Sequence, residues 1–305
     1  MKIIKPLYLN DKNFISYLLT PFTIFTVLIN FSKNFLIKKK YKIKTICVGN
    51  VYIGGTGKTS LSIQINKILK NKFKTVFIKK KYLDQLDERK ILQAHGKVIS
   101  DENRGVSLDK AEAKKFNLAI LDDGLQDKKI DYDISIACFN SSYGIGNGYL
   151  LPAGPLREKL EILKKYSAIF VIGERKNTKL LSVLKKFNNK IFYSNYVPIN
   201  MKNFNRKKSY LYFCGIGNPE EFENTLNKYK FKISKKFIFP DHHNYTNKDL
   251  EKIKRIALKE KLEIITTEKD YKRLTNKHKK SIKFLKVELK IENFKKFKNF
   301  LKEKI

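Results

Sequence analysis

Cysteine is scarce in this 305-residue chain and nowhere paired in spacing. Cys47, Cys138 and Cys214 lie in or beside apolar, strand-like runs, which reads as buried thiols in a reducing compartment. That pattern excludes a disulfide framework and a cysteine-built zinc site. Acidic residues are also few. Twenty-nine Asp and Glu face 65 Lys and Arg, leaving a formal charge of +36 that calls for an anionic partner, either nucleic acid or a membrane surface. Lysine is spread along the whole chain, so part of this excess is general compositional drift. No RNA-binding signature accompanies the charge, and no run of zinc ligands does. There is no internal repeat and no Asn-Lys-x-Asp run of the kind that reads a guanine base.

What the chain does have begins near its start. Twenty residues between Lys12 and Lys33 carry no charge. Length alone permits a membrane span. Ser16, Thr20, Thr23, Thr26 and Asn30 nevertheless recur at helical spacing, so one narrow stripe is polar, and Lys33, Lys38, Lys39 and Lys40 follow. A broad apolar face with lysines at its end suits a helix lying in a membrane interface. A helix packed into the core is the third reading. Pro21 either kinks the helix or starts a second one. No small-x-small cleavage site follows, so a secretory signal is not expected.

The rest of the chain is organised around Gly54-Gly55-Thr56-Gly57-Lys58-Thr59-Ser60. An apolar run from Ile43 to Val48 reads as a buried strand, and apolar residues from Leu61 to Leu69 read as a helix. Strand, glycine-rich turn and Gly-Lys-Thr at a helix start is how a backbone cradles phosphates, with Thr59 free to meet Mg²⁺. The first glycine of the strict pattern is replaced by Tyr52. Further strands are expected at Thr75–Ile78, Val98–Ile99, Leu118–Leu121, Ile134–Phe139 and Ser167–Gly173, the last closing the first domain. Alternation with helices predicts a mostly parallel, doubly wound α/β sheet. A looser alternation after about Arg175 predicts a second, smaller α/β domain. The expected division is therefore 1–40 for a membrane-associating helix, 41–176 for a P-loop domain and 177–305 for the smaller domain.

Two acidic pairs stand at strand ends, Asp122-Asp123 and Asp101-Glu102. Adjacent carboxylates repel unless a cation attends them, so Asp122-Asp123 is the expected partner of a P-loop magnesium site. Ligands of doubly wound sheets sit at the carboxyl ends of the strands, where the P-loop and both pairs can face one crevice. Phe239-Pro-Asp-His-His-Asn-Tyr245 holds two of four histidines. Adjacent histidines point different ways and make poor joint metal ligands, but one beside a carboxylate serves as a base or orienter.

Six motifs in order, from the Gly-Gly-Thr-Gly-Lys-Thr loop through Asp-Asp-Gly-Leu-Gln126, Leu-Leu-Pro-Ala-Gly-Pro-Leu-Arg157-Glu, Gly215-Ile-Gly-Asn-Pro219 and Phe-Pro-Asp-His-His to Thr266-Thr-Glu-Lys-Asp270, resemble the tetraacyldisaccharide 4′-kinase family. The resemblance covers nearly the whole chain. It implies ATP and Mg²⁺ as cofactors and a lipid A precursor, the disaccharide 1-phosphate lipid, as acceptor, at the cytoplasmic face of the inner membrane. The anionic membrane surface then becomes the expected partner of the basic charge, rather than nucleic acid; a nucleic-acid-stimulated P-loop ATPase is the alternative. By matched position, Gly54 to Ser60 bind phosphates with Lys58 on the β/γ oxygens, and Thr59, Asp122 and Asp123 hold the metal. Asp101 is the implied base, His242 its dyad partner with His243 as fallback, and Tyr82, Gln126 and Arg157 are further site residues. Three positions depart from the family pattern: Asp127 stands for histidine, Lys79-Lys80-Lys81 for Ser-Arg-Gly, and Asn103 for proline.

Overall fold

The structure, a computed structural model, describes residues 7–81, 86–173 and 177–305. Its contacts divide the chain into two compact units. The smaller is built on Tyr196–Lys290. The larger takes Arg89–Asn195, Ile291–Ile305 and the described residues up to Lys81.

The larger unit opens with two helices, α1 (Phe14–Leu19) and α2 (Thr23–Lys33), joined by a 3₁₀ turn with Pro21 at its first positions. Asn13 caps α1 through a reciprocal pair of side-chain hydrogen bonds with Ser16. There follow β1 (Lys44–Gly49), α3 (Lys58–Leu69), β2 (Thr75–Lys79), α4 (Leu86–Gln93), β3 (Val98–Ile99), α5 (Arg104–Ala113), β4 (Leu118–Asp122), β5 (Ile134–Asn140), β6 (Ala168–Ile172), α6 (Thr178–Lys185) and β7 (Ile191–Pro198). The apolar runs that predict strands are buried end to end in β4 and β6, because helices cover both faces of a parallel sheet.

In the smaller unit come β8 (Ser209–Cys214), α7 (Pro219–Lys228), β9 (Lys232–Ile238), α8 (Asn247–Lys259), β10 (Glu263–Thr267), α9 (Glu268–Arg273), α10 (Asn276–Lys279) and β11 (Ile282–Leu285). The chain then passes through β12 (Val287–Ile291) into α11 (Phe294–Lys304). The large sheet has the order β12-β7-β6-β5-β1-β4-β2-β3, and the small one β11-β10-β8-β9. From β3 to β7 every neighbouring pair is parallel, as is every pair of the small sheet. The mostly parallel, doubly wound architecture is thus present.

The units do not follow the expected boundary near residue 176. Ser167–Gly173 is not the last strand of its sheet: β7 continues it, pairing Ile169 to Ile191 and Phe170 to Phe192. Helix α11 returns to the same body, where Phe297 packs edge-on against Phe170 at 5.3 Å and Phe192 at 4.9 Å between ring centroids. The α11 contacts join residues more than a hundred positions apart, which local periodicity does not encode.

The apolar N-terminal stretch is not a core helix. Phe14 is 79% exposed, Leu18 63% and Phe25 61%, while the polar stripe turns inward. Ser16 is fully buried, Thr26 Oγ1 donates to Leu151 O at 2.7 Å, and Asn30 Nδ2 donates to Arg157 O at 2.7 Å. By length and composition alone, Phe14–Lys33 is long and apolar enough to cross a membrane. The polar face is thus engaged by the protein beneath it, and the apolar face is left bare.

Candidate active site

Because β1, β2, β3 and β4 run parallel, their carboxyl ends share one edge of the sheet. The chain winds one way from β1 to β2 and β3, returns to β4, then crosses to β5 on the other side of β1. That reversal opens a crevice at the end of β1, and the phosphate loop stands there. Gly57 has φ of 72°, which glycine adopts without steric cost, and it is the residue from which α3 starts. Gly54 has φ of 140° and likewise needs glycine. Gly55 and Thr56 lie between them, with Lys58, Thr59 and Ser60 forming the first turn of α3. Tyr52 needs no positive φ. It is buried, stacks obliquely on Phe139, and accepts a hydrogen bond from the Asn140 amide at 3.1 Å. A core side chain therefore braces the loop at the position where the strict pattern has glycine.

Asp122 ends β4 beside that loop and is almost fully buried. Its Oδ2 accepts from Thr59 Oγ1 at 3.1 Å and from Lys79 Nζ at 2.8 Å. Asp123 follows with φ of 63°, its Oδ1 lying 3.7 Å from both Lys58 Nζ and Arg157 Nη1. Burial pushes the Asp123 carboxyl up, but the positive charges of Lys58, Arg157, Lys79 and Arg104 outweigh burial and hold it below the usual carboxylate range. The Oδ1 atoms of both acids are buried without a hydrogen-bond partner. The open Asp122 oxygen beside a threonine hydroxyl, with the Asp123 carboxylate 3.7 Å from its cations, fits the hard oxygen donors a divalent cation takes.

Gln126 and Arg157 lock the neighbouring wall. Gln126 Nε2 donates to Asn50 O at 2.6 Å, and its Oε1 accepts from Arg157 Nη1 at 3.2 Å. The Arg157 amide donates to Val51 O at 2.8 Å. Asp101 lies just past β3. Its carboxylate is bound by Lys110 Nζ and by Ser107 Oγ at 3.0 Å, and its carbonyl accepts from the Lys81 amide at 2.9 Å. Lys110 above all holds the Asp101 carboxyl below its ordinary range; burial opposes this, and Ser107 and Lys81 assist it.

The three departures from the family pattern each have a place. Lys79 supplies the buried ammonium on Asp122. Asn103 caps α5 by accepting from the Gly105 amide at 2.8 Å. Asp127 lies 3.7 Å from Arg104, whose other guanidinium nitrogen donates to Asp123 O at 2.5 Å. In the sequence Lys79 stands out only as a departure from the family pattern, and Arg104 and Lys110 carry no signal in so basic a chain. Tyr82 lies outside the described residues.

In the smaller unit the order β11-β10-β8-β9 places its own reversal at β8 and β10. Buried Asp270 organises the loops that leave these strands. It accepts from the Gly215 amide (3.1 Å), Tyr245 Oη (2.9 Å) and Thr267 Oγ1 (2.7 Å), and pairs with Arg273 at 3.0 Å. Gly215 O in turn accepts from the His242 amide at 3.2 Å. His242 has φ of 59°, with Nε2 3.3 Å from Lys269 Nζ and Nδ1 3.4 Å from Arg273 Nη2. His243 is engaged otherwise: it stacks on Phe239 at 4.6 Å and meets Asp249 Oδ2 at 3.1 Å. Asp101 and His242 belong to different units.

Comparison with known proteins bears on the family. The family model described as tetraacyldisaccharide-1-P 4′-kinase (LpxK) matches residues 15–98 and 81–305. A tetraacyldisaccharide 4′-kinase of Pelagibacter ubique is 44% identical over 312 residues, covering 99% of this chain and 98% of that one. Its counterpart in Rickettsia canadensis is 34% identical over 325 residues, covering 100% and 97%. The crystal structure of the "apo" form of LpxK from Aquifex aeolicus in complex with ATP superposes with a TM-score of 0.73 at 24% identity, over 95% of this chain and 99% of that one, and so shares the fold. With family model and full-length relatives in agreement, this chain belongs to the tetraacyldisaccharide-1-P 4′-kinase family.

Proposed function

We propose that this chain transfers the γ-phosphoryl group of ATP to the 4′-hydroxyl of a tetraacyldisaccharide 1-phosphate, giving lipid IVA at the cytoplasmic face of the inner membrane. The observation that carries this reading is the phosphate loop set against Asp122 and Asp123, with Lys58, Lys79, Arg104 and Arg157 around them. Four cations about two carboxylates form a site whose net charge suits a polyphosphate.

Phosphoryl transfer asks for positioning and charge stabilisation more than covalent participation. The amides of Gly54 to Ser60 cradle the phosphates, and Lys58 meets the β and γ oxygens. Thr59, Asp122 and Asp123 would hold Mg²⁺, which would supply charge neutralisation to the phosphates. Arg157, a planar fork kept in place by Gln126, faces the transferred group, where bidentate contacts are worth most as charge moves. Asp101 accepts the proton of the attacking 4′-hydroxyl. Held ionised by Lys110, it is ready to accept at neutral pH, and a base of this kind contributes roughly 10²–10⁴-fold. The orienting role falls to His242 by its position in the matched motif. Tyr82 is assigned to the nucleotide by its position in the motif.

The bare apolar face of α1 and α2, followed by Lys33 and Lys38 to Lys40, rests on the anionic bilayer, where each basic residue contributes about 1 kcal/mol. Coupled measurement of ADP release discriminates between partners. Release that needs the disaccharide lipid supports the kinase. Release stimulated by RNA without lipid supports a nucleic-acid-dependent ATPase.

A further inference from the structure

The polar stripe of α2 does not merely pack against the larger unit. Its two hydrogen bonds fall on one short segment, at both ends of Leu151-Pro-Ala-Gly-Pro-Leu-Arg157. Thr26 Oγ1 takes the carbonyl of Leu151 and Asn30 Nδ2 that of Arg157, each at 2.7 Å. On its other side this segment is bonded to the residues leading into the phosphate loop. The Arg157 amide donates to Val51 O and the Ile53 amide to Pro155 O, both at 2.8 Å, and Tyr52 bridges Leu156. The segment is therefore sandwiched between a helix whose outer face is apolar and the backbone that opens into the phosphate site.

Arg157 is held three ways: its amide by Val51, its carbonyl by Asn30, and its guanidinium by Gln126 Oε1 with Asp123 nearby. Fixing both peptide groups of a residue fixes its φ and ψ, and those set the direction in which the side chain leaves. Of the three, the carbonyl bond alone comes from the lipid-facing helix pair. On the outer side of the same helix, Phe25, Leu28 and Ile29 are each more than half exposed.

We propose that Asn30, seconded by Thr26, is a positioning residue for Arg157, so that seating α2 on a lipid surface and aiming the Arg157 guanidinium are coupled. The helix then acts on turnover as well as on attachment. This rests on the reading above, in which Arg157 meets the transferred phosphate. A hydrogen bond that serves only to dock the helix predicts a different pattern, because its loss weakens lipid engagement and leaves the chemistry of bound substrate intact.

The test uses the full chain with ATP, Mg²⁺ and tetraacyldisaccharide 1-phosphate in mixed micelles, comparing Asn30→Asp, Thr26→Val, Arg157→Ala and the Asn30→Asp/Arg157→Ala double variant. Aspartate keeps the shape of Asn30 and lacks the donor; valine does the same for Thr26. We expect Asn30→Asp to lower kcat about 3- to 10-fold, the span of one net hydrogen bond, with Thr26→Val losing less. KM for the lipid and cosedimentation with phosphatidylglycerol/phosphatidylethanolamine vesicles stay within about 2-fold, which separates turnover from attachment. In the Arg157→Ala background, Asn30→Asp costs less than about 2-fold more, because residues acting through one group are not additive. Multiplying losses in the double variant, or a raised lipid KM with unchanged kcat, overturns the coupling. Wild-type turnover in Arg157→Ala overturns the role of Arg157 itself, and the coupling with it. Should Asn30→Asp fail to fold, Thr26→Val and its double variant with Arg157→Ala decide on the same criteria.

Discussion

Lys79 offers the sharpest check on the electrostatics of the site. Its Nζ lies 2.8 Å from Asp122 Oδ2, with the two side chains 5% and 0% exposed. Lys79→Met keeps the length of the side chain and removes its charge. Breaking a buried pair on one side costs about 3–5 kcal/mol, because the remaining ion loses its compensation. Here Thr59 still donates to Asp122 at 3.1 Å, so the lower end, about 3 kcal/mol, is expected. Over a body of this size that corresponds to a Tm lower by roughly 6–12 °C. The same reasoning predicts a cation-dependent recovery. With the ammonium gone, the Asp122 carboxylate leaves a more negative site, and Mg²⁺ binding there stabilises the folded state. Thermal unfolding without nucleotide, with and without millimolar Mg²⁺, reads both effects. The account requires a larger Mg²⁺-induced rise in Tm for Lys79→Met than for the wild type. An unchanged Tm, or equal Mg²⁺ increments in both proteins, refutes the view that Lys79 is the resident counter-ion of Asp122.

Other expectations follow from the same geometry. Asp101→Ala should reduce turnover at least ~100-fold with the fold retained, as judged by circular dichroism and steady-state kinetics. Lys110→Met should move the acidic limb of the kcat/KM profile upward in pH. The Asp101 carboxyl is depressed chiefly by Lys110, so losing that cation raises its pKa and protonates the base at a higher pH; an unmoved limb removes Asp101 from that titration. Asp270→Ala should destabilise the smaller unit by about 3–5 kcal/mol, because Arg273 is left without its buried partner, read by chemical denaturation. Replacing Phe25 and Leu28 with glutamate should abolish vesicle cosedimentation while leaving the KM for ATP within about 2-fold, since that face meets neither the phosphate loop nor the acid pair.

Much of the architecture was legible because buried parallel strands are near-continuous apolar runs. Val98–Ile99 and Leu118 to Leu121 stand where expected, although β4 runs on to include Asp122. The inward stripe of the first helices was equally readable, since the spacing of Ser16, Thr26 and Asn30 is a property of the helix itself. What the stripe meets was not: the carbonyls of Leu151 and Arg157 are more than 120 residues away. The unit boundary escaped because β7 joins β6 and α11 packs on Phe170 and Phe192 through contacts without a local pattern. Within the site, acids at strand ends were visible because acid is rare in this chain. The roles of Lys79 and Lys110 were not, because lysine is everywhere, and only coordinates show which ammonium meets Asp122 or Asp101. The Thr-Thr-Glu-Lys-Asp run was visible as a motif, but its work of tying Gly215, Tyr245 and Arg273 to buried Asp270 was not.

The central claim is that the phosphate loop and its acid pair serve transfer to a lipid-borne sugar. It is tested most directly by incubating the purified full chain with ATP, Mg²⁺ and tetraacyldisaccharide 1-phosphate, then examining the lipid by mass spectrometry with fragmentation of the sugar rings. The account predicts one added phosphate, located at the 4′ position and absent when Lys58 is replaced by alanine. Lipid recovered unchanged while ATP is hydrolysed, or phosphate found at another position, contradicts it.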